Sequence, residues 1–199
     1  GTLRVLPKLK AAGWTLEAWC WNCDEGLPLD YVVKLPRFGN VFLLAPFAFS
    51  FWASLWARCR KWIAPATEPE VIYTIATYQP WCDIAHVHFS CWDWEQAQRR
   101  IGTHSPRDWY ERLTNFAGLI SSEVFFRLTT AKVVLCVSQG VADDVKKRAP
   151  HLNTQVLPNS YDPLRFHAGV RNLYRAETRK RHHLNETDVV FNFTSTGHY

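Results

Sequence analysis

The sequence predicts an α/β fold in which a mostly parallel sheet carries helices on both faces. Lys132–Val137 is a short apolar, β-branched run that is typical of a buried strand. Val141–Arg148 has the pattern of a helix, and Thr154–Leu157 is a second strand-like run. A strand, a helix and a strand in this order close right-handedly onto one sheet, so the two strands are predicted to be parallel.

The helix between these strands has signals at both ends. Ser138 precedes it and can cap its first turn, while Lys146, Lys147 and Arg148 place positive charge in its last turn. Pro158–Pro163 then interrupts regular structure, so the sheet is expected to end there.

The stretch from Lys132 to Phe166 resembles the end of the N-terminal domain in family-4-type retaining glycosyltransferases of the GT-B fold. The resemblance lies in VSQGVA between strand and helix, and in VLPNSYD with Phe166 four residues beyond Asp162. In that family a Pro-Asn-x-x-Asp-x-x-x-Phe loop joins two Rossmann-like domains. The resemblance therefore implies a hinge at Asn159 and Asp162.

The resemblance also implies a division of the chain into three parts. Residues 1–158 would form a Rossmann-like, acceptor-side N-terminal domain whose first strand is missing. Residues 159–187 would form an interdomain linker with a basic helix. Residues 188–199 would begin a truncated donor-binding domain, of which one strand is present.

Composition limits the class of protein. The 199 residues can bury one good core, and the 10 Trp, 12 Phe and 7 Tyr favour a core and interfaces over disorder. A net charge of +5 suits anionic ligands such as nucleotide diphosphates or acidic lipid. No nucleic-acid motif accompanies this charge, so nucleic acid is not an expected partner.

The cysteines indicate a reducing compartment. No secretory signal leads the chain, so the six Cys are expected to be free thiols, and the protein to be cytoplasmic. Cys20 and Cys23 form a CxxC, but no second pair follows at zinc-like spacing, and no metal is expected. Cys82, Cys91 and Cys136 are expected to be small buried hydrophobic residues.

The N-terminal region has the pattern of half a nucleotide-binding βαβ unit. Leu3–Ala12 has helical spacing, Thr2 can cap it and Gly13 can end it. Trp14–Trp21 is the predicted strand that follows this helix. Leu29–Leu35 is predicted to be the next.

The resemblance adds a role for the first residues. In the family a glycine-rich turn before the first helix approaches the donor diphosphate, because glycine lets backbone N–H groups come close to phosphate. Gly1 and Thr2 would then be donor-phosphate residues. A terminal glycine without function is the alternative.

The most apolar segment is Val41–Trp62, which ends in Arg58, Arg60 and Lys61. It falls short of the roughly 20 apolar residues of a membrane span and contains Pro46. Two interpretations stay open for this predicted helix. It packs on the sheet beside an aromatic acceptor cleft, or it lies in a membrane interface, as in resembling enzymes with lipid-linked acceptors.

Two histidines mark the candidate catalytic site. Val71–Ala76 and Ile84–Ser90 are predicted strands, and His86 and His88 in the second share one face because they are two residues apart. His88 lies nearer the carboxyl end, where open α/β sheets bind ligands. In the resembling family a strand that ends in a His-containing turn lines the acceptor side.

The resemblance therefore implies His88 as the catalytic residue. His86 and the loop residue His104 are acceptor-side candidates. A structural or metal-binding histidine pair is the alternative for His86 and His88, and a solvated position is the alternative for His104.

Two further helices are predicted before the central strand, Trp92–Arg100 and Pro106–Leu128. The second begins with a good N-terminal signature, Ser105-Pro106 and then Asp108. A period close to 3.6 predicts that it packs on the sheet through its apolar residues, which are Trp109, Leu113, Phe116, Leu119 and Ile120.

The C-terminal region is predicted to contain the basic helix Val170–Leu184 and the strand Asp188–Thr194. In the family, the first strand of the second domain leads to a glycine turn at the donor phosphates, usually followed by Arg. Gly197 matches that glycine. His198 stands where the arginine is usual.

The resemblance implies transfer of a sugar from a nucleotide-sugar co-substrate to a sugar or lipid-linked acceptor hydroxyl, with retention and without a further cofactor. The chain by itself would be inactive. Two alternatives come from other classes of protein. One is a non-catalytic Rossmann-type module that binds sugar or nucleotide, and the other is an interaction protein at the inner membrane surface.

Overall fold

A computed structural model describes residues 5–37, 44–63, 70–101, 105–159, 163–164 and 166–191. The chain divides between Asn159 and Ser160 into two compact units. The first unit contains, in chain order, α1 (Leu6–Ala11), β1 (Glu17–Cys20), β2 (Tyr31–Lys34), α2 (Ala45–Ile63), β3 (Tyr73–Ile75), β4 (Ile84–Val87), α3 (Cys91–Ile101), α4 (Pro106–Leu128), β5 (Val133–Cys136), α5 (Gln139–Arg148) and β6 (Thr154–Val156). The second unit contains α6 (Gly169–Arg181).

The strands confirm the predicted α/β class. Every pairing between the described strands is parallel. These strands form two sheets, a two-stranded sheet in the order β1-β2 and a four-stranded sheet in the order β3-β4-β5-β6. The predicted strand, helix and strand of the central stretch are β5, α5 and β6.

The core of the first unit lies on one face of the four-stranded sheet. Side chains alternate along a strand, so Ala85 and Val87 of β4 point to the same face as their partners Val134 and Cys136 of β5. All four are buried. They pack with buried side chains from α3, α4 and α5, which are Trp92, Phe125, Phe126, Ala142 and Val145.

Helix α5 follows the prediction closely. The Ser138 hydroxyl accepts a hydrogen bond from the Val141 N–H at 3.3 Å, which satisfies one of the free donors of the first turn. The helix begins at Gln139, two residues before the predicted start, and ends at Arg148. Its apolar residues Ala142 and Val145 are buried.

Helix α4 has the predicted ends, but its predicted buried side is wrong. Ser105 and Asp108 form a reciprocal capping box at its start, with N···O distances of 3.2 and 2.8 Å. The residues that it buries are Ala117, Ser121, Ser122, Phe125 and Phe126. Of the residues predicted to face the sheet, only Leu119 packs against the core. The other four are exposed, namely Trp109, Leu113, Phe116 and Ile120.

The prediction of the buried side of α4 is wrong for a physical reason. Small side chains at Ala117, Ser121 and Ser122 let the helix backbone approach its neighbours closely. The rings of Phe125 and Phe126 then fill the core, with their centres 5.2 Å apart. Helical spacing identifies an apolar side, but here a second side carries the residues that fit the core.

Helix α2 connects the two sheets. Near its start, Phe49 makes edge contacts with Trp21 after β1 and with Tyr78 after β3, at centroid distances of 5.5 and 6.0 Å. Near its end, Arg60 pairs with Glu17 at 2.9 Å, where β1 begins, and with Glu70 at 3.0 Å, just before β3. Helix α2 therefore runs opposite to β1 and β3, whose carboxyl ends lie at the same edge.

The second unit differs from its prediction in two respects. Helix α6 ends at Arg181, three residues before the predicted Leu184. The predicted strand Asp188–Thr194 is wrong for residues 188–191, which are not in a strand, and residues 192–194 lie outside the described part. Arg179 donates hydrogen bonds to the carbonyl oxygens of Asn185 and Asp188. The segment is thus folded back onto α6, and these carbonyls are not available to a sheet.

No helix in the described part of the chain is long and apolar enough to cross a bilayer.

Candidate functional site

The candidate site lies along the carboxyl edge of the parallel strands in the first unit. His88 comes directly after β4, Tyr78 and Gln79 follow β3, and Trp21 follows β1. In open parallel sheets this edge is where ligands bind, because the loops that leave the strands surround a crevice there. The prediction that His86 and His88 share an environment is confirmed, since their ring centres are 4.2 Å apart.

His86 is more deeply buried than His88. Its side chain is 6% exposed, and its Nδ1 is 2.5 Å from the Tyr73 hydroxyl. Tyr73 belongs to the neighbouring strand β3, and its ring forms an edge contact with His86. This arrangement fixes the orientation of the His86 ring, which in turn contacts the ring of His88.

The environment of His86 favours its neutral form. Burial lowers the pKa of His86 below its ordinary value, and the neighbouring His88 lowers it further. A neutral imidazole in contact with Tyr73 and His88 is a support for His88 rather than a charged group in the site. His86 therefore fits a positioning role.

Aromatic side chains form a connected cluster at this edge. Phe49 contacts both Trp21 and Tyr78, as described above for α2. The Arg37 guanidinium carbon lies 5.5 Å from the centre of the Trp21 ring, a distance at which the cation and the ring attract each other. The cluster combines apolar surface with a positive charge at the end of β1.

Several buried nitrogens at this edge have no hydrogen-bond partner among the described residues. They are the indole Nε1 of Trp21, the amide Nε2 of Gln79 and the Nε2 atoms of His86 and His88. The Oε1 atom of Gln79 accepts a hydrogen bond from the Ser54 hydroxyl at 2.8 Å, so only its amide nitrogen is left over. Buried polar atoms are normally bonded. Those of Trp21, Gln79 and His88, which follow the strand ends, are therefore candidates to bind the polar atoms of a ligand.

The loops around the edge are held in place by their own contacts. The Ser90 hydroxyl accepts the Asp93 N–H at 3.2 Å at the start of α3, and it donates to the carboxylate of Asp144 in α5. After β3, Ala76 has a left-handed φ of 63°, and its N–H donates to the His86 carbonyl at 2.9 Å. A left-handed Ala is strained, so the bond to His86 helps to hold this turn.

The cysteines do not form a chemical centre in the described part of the chain. All six are free thiols. Burial, followed by the neighbouring Cys23, raises the pKa of Cys20, so Cys20 is not an activated thiolate. Burial likewise raises the pKa of Cys82 and that of Cys136 to about 11. The described residues include no group of three His, Cys, Asp or Glu side chains that could hold a metal ion.

Several predicted site residues lie outside the part of the chain that the structure describes. Asn159 is the last residue of the first unit and is exposed. The predicted residues outside the described ranges are Gly1, Thr2, His104, Asp162 and Gly197.

Six residues of the candidate site were not identified from the sequence, namely Trp21, Arg37, Phe49, Tyr73, Tyr78 and Gln79. Trp21 was placed inside a predicted strand, although the strand ends one residue earlier, at Cys20. In the register of β3 and β4, Ile75 lies opposite His86, and this brings Tyr73 within reach of His86. That register depends on a contact between strands, which no pattern within one strand contains.

Comparisons with known proteins do not identify a family for this chain. No protein-family model, no curated protein and no solved structure matches this chain.

Proposed function

We propose that this chain is the acceptor-side domain of a retaining glycosyltransferase, which moves a sugar from a nucleotide-sugar donor to an acceptor hydroxyl. The resemblance of residues 132–166 supports the proposal, since the strand, helix and strand that it requires correspond to β5, α5 and β6. A parallel α/β sheet hosts many functions, so the argument for sugar transfer must come from the site itself.

The observation that carries the proposal is the combination of unpartnered buried nitrogens and aromatic rings at one edge of the strands. A sugar has hydroxyl groups around its ring and apolar C–H groups on its faces. Trp21 Nε1, Gln79 Nε2 and His88 Nε2 supply hydrogen bonds that hydroxyl groups can complete. Trp21 and Tyr78 supply aromatic surface beside them.

His88 is the residue that acts on the acceptor in this proposal. Its Nε2 has no partner among the described residues, and its ring is backed by His86. No described carboxylate is bonded to His88, so the support for a strong general base that a carboxylate partner would give is missing. We therefore assign it to holding an acceptor or sugar hydroxyl in a reactive orientation.

The donor side of the reaction would use other parts of the protein. Charge on the leaving nucleotide diphosphate would be stabilised by backbone N–H groups and basic residues rather than by a metal ion. Gly1, Thr2 and Gly197 stay predictions for that role. The nucleotide sugar is a co-substrate, and the proposal needs no further cofactor.

The test is an assay of the full-length protein that carries this chain. It would be incubated with UDP-, GDP- and ADP-linked hexoses and with alkyl glycosides as acceptors, and nucleotide diphosphate release would be measured. NMR of the product would give its anomeric configuration. Acceptor-dependent release with retention supports the proposal. Binding of nucleotide sugars without any transfer would contradict it and favour a binding module.

A further inference from the structure

Among the residues that the structure describes, the buried side-chain atoms without a partner at the strand edge are all nitrogens. Those of His86 and His88 donate or accept according to the tautomer. The indole nitrogen of Trp21 and the amide nitrogen of Gln79 can only donate. The edge therefore offers fixed donors to a ligand, and the ligand group that matches them is one that accepts hydrogen bonds.

Both of these donors are held by neighbouring turns of α2. Phe49 makes an edge contact with the ring of Trp21, at a centroid distance of 5.5 Å. Ser54, further along the same helix, places its hydroxyl 2.8 Å from Gln79 Oε1. Ser54 is buried, and Gln79 is only 3% exposed. The two N–H groups are thus oriented by contacts within the chain, so a ligand does not have to order them.

A positive charge accompanies the donors. Arg37 follows β2, and its guanidinium carbon lies 5.5 Å from the centre of the Trp21 ring. A guanidinium is permanently charged and only donates hydrogen bonds. None of the ion pairs between described residues involves Arg37. Arg37 can therefore pair with an anionic group of a ligand.

The nearest acidic residues in sequence do not neutralise this charge in the described part of the chain. Asp24 and Glu25 follow Trp21, and both are exposed. No hydrogen bond or ion pair between described residues joins either carboxylate to Arg37. Asp144, at the start of α5, accepts a hydrogen bond from Ser90 instead.

A carboxylate matches this set of donors better than a hydroxyl does. A hydroxyl carries its own hydrogen, which needs an acceptor when the group is buried against donors. Carboxylate oxygens only accept, and their hydrogen bonds from N–H groups are strengthened by the charge. A phosphate ester is also acidic, but it carries about two negative charges near neutral pH. Arg37 is the described cation that contacts the Trp21 ring, and it balances one charge.

We propose that the acceptor sugar of this site carries a carboxylate, as a uronic acid does. Trp21 Nε1, Gln79 Nε2 and Arg37 bind that carboxylate, and His88 Nε2 is left to hold a hydroxyl. The inference deepens the proposed function and rests on it for the role of the sugar as acceptor. The binding of the carboxylate itself can be measured without any transfer.

The experiment is a calorimetric titration of the chain with methyl glycosides that differ only at C6. In both the glucose and the galactose series, the ligands are the uronate, the neutral hexoside and the hexoside 6-phosphate. We expect the uronate of one series to bind at least about tenfold more tightly than its neutral partner, with a difference that shrinks as salt is raised. Equal binding of uronate and hexoside, tighter binding of the 6-phosphate, or no binding of any ligand overturns the proposal.

Variants identify the groups that bind the carboxylate. Trp21→Phe keeps the ring and loses the N–H, Arg37→Gln loses the charge, and Gln79→Glu replaces the donor by a second carboxylate. Each should weaken uronate binding by about fivefold or more and change hexoside binding less. Trp109→Phe on α4 and Lys34→Gln, an exposed cation at the end of β2, are the matched controls. Circular dichroism checks that each variant is folded.

The controls and a transfer assay separate this proposal from the one on which it rests. If Lys34→Gln weakens uronate binding as much as Arg37→Gln does, general charge attraction replaces the assigned contact and the proposal is wrong. If the chain prefers the uronate but the full-length protein transfers sugar to no acceptor, the carboxylate site stands and the transferase does not. If the full-length protein transfers sugar equally well to uronate and hexoside, with equal binding, the transferase stands and the carboxylate site is overturned.

Discussion

Two regions of the first unit leave chemical groups unsatisfied, and they do so in opposite ways. At the carboxyl edge of the strands, polar nitrogens such as Trp21 Nε1 and His88 Nε2 are buried without a partner among the residues that the structure describes. On the outer sides of α2 and α4, apolar rings such as Trp62 and Trp109 are exposed. In the first region, buried polar atoms lack hydrogen bonds. In the second, apolar side chains are exposed to water.

The difference is the basis for the kind of ligand that we propose for each region. A buried unbonded N–H costs free energy until a polar group reaches it, so the edge suits a small ligand with many hydroxyls. Exposed apolar area costs free energy in proportion to its size, so the outer sides of α2 and α4 suit a large apolar partner. The contrast lets each region be changed without touching the other.

The largest expected effect separates the two sides of α4. Phe125 is 1% exposed, so Phe125→Ala should lower the free energy of unfolding by about 3–5 kcal/mol through lost burial and a cavity. Phe116→Ala, on the exposed side of the same helix, should change it by less than about 0.5 kcal/mol. Urea unfolding monitored by circular dichroism measures both. Similar losses for the two variants would mean that the outer side of α4 is covered in solution.

The next effect is at the strand edge. In the full-length protein, His88→Ala should lower kcat/KM for sugar transfer by more than about tenfold, because the acceptor hydroxyl loses its orientation. His151→Ala is the matched control, since His151 is exposed in the turn after α5. Circular dichroism should show an unchanged fold for both. Unchanged kinetics in His88→Ala would remove His88 from the site.

A smaller effect is expected at the start of α4. Ser105→Ala removes one half of the capping box and should lower the free energy of unfolding by about 1 kcal/mol. Ser138→Ala should have a comparable effect on α5, where the serine also bonds to the first turn. Thermal unfolding measures both losses. If neither change has an effect, the helix ends are held by packing rather than by their caps.

The smallest effect is a dependence of stability on pH. His86 has a lowered pKa in the folded chain, so the unfolded chain binds its proton more readily. The contribution of neutral His86 to stability is fully present above about pH 6.5, the ordinary histidine value. It is lost progressively as the pH falls from there to the lower pKa of the folded state.

The control for this dependence is His86→Gln, which cannot take up a proton. Urea midpoints measured between pH 8 and pH 5 should fall less steeply for the variant than for the unchanged chain. His151→Gln, at an exposed position in the turn after α5, is the matched control. Equal slopes for His86→Gln and the unchanged chain would show that His86 is not the group responsible.

The sequence predicted the elements that local patterns specify. Strand β5, helix α5 and strand β6 follow the predicted order, and α4 has both predicted ends, because caps and apolar runs are local signals. The buried side of α4 was not predictable in this way. The helix has two apolar sides, and the choice between them depends on which side chains fit the core.

The site was predicted in part for the same reason. His86 and His88 share a face because strand side chains alternate, which is a property of one strand. The contact of His86 with Tyr73, and the cluster of Trp21 with Phe49 and Tyr78, depend on how separate elements pack. Such contacts join residues far apart in sequence, so local patterns do not contain them.

The most direct test of the proposed sugar site is NMR of the ¹⁵N-labelled chain during titration with nucleotide sugars and alkyl glycosides. The Trp21 indole N–H and the Gln79 side-chain amide should shift in a saturable way, while the indole signals of Trp62 and Trp109 stay fixed. If no ligand shifts the Trp21 and Gln79 signals, the assignment of the strand edge as the sugar site is contradicted. The same holds if the Trp62 and Trp109 indole signals shift instead.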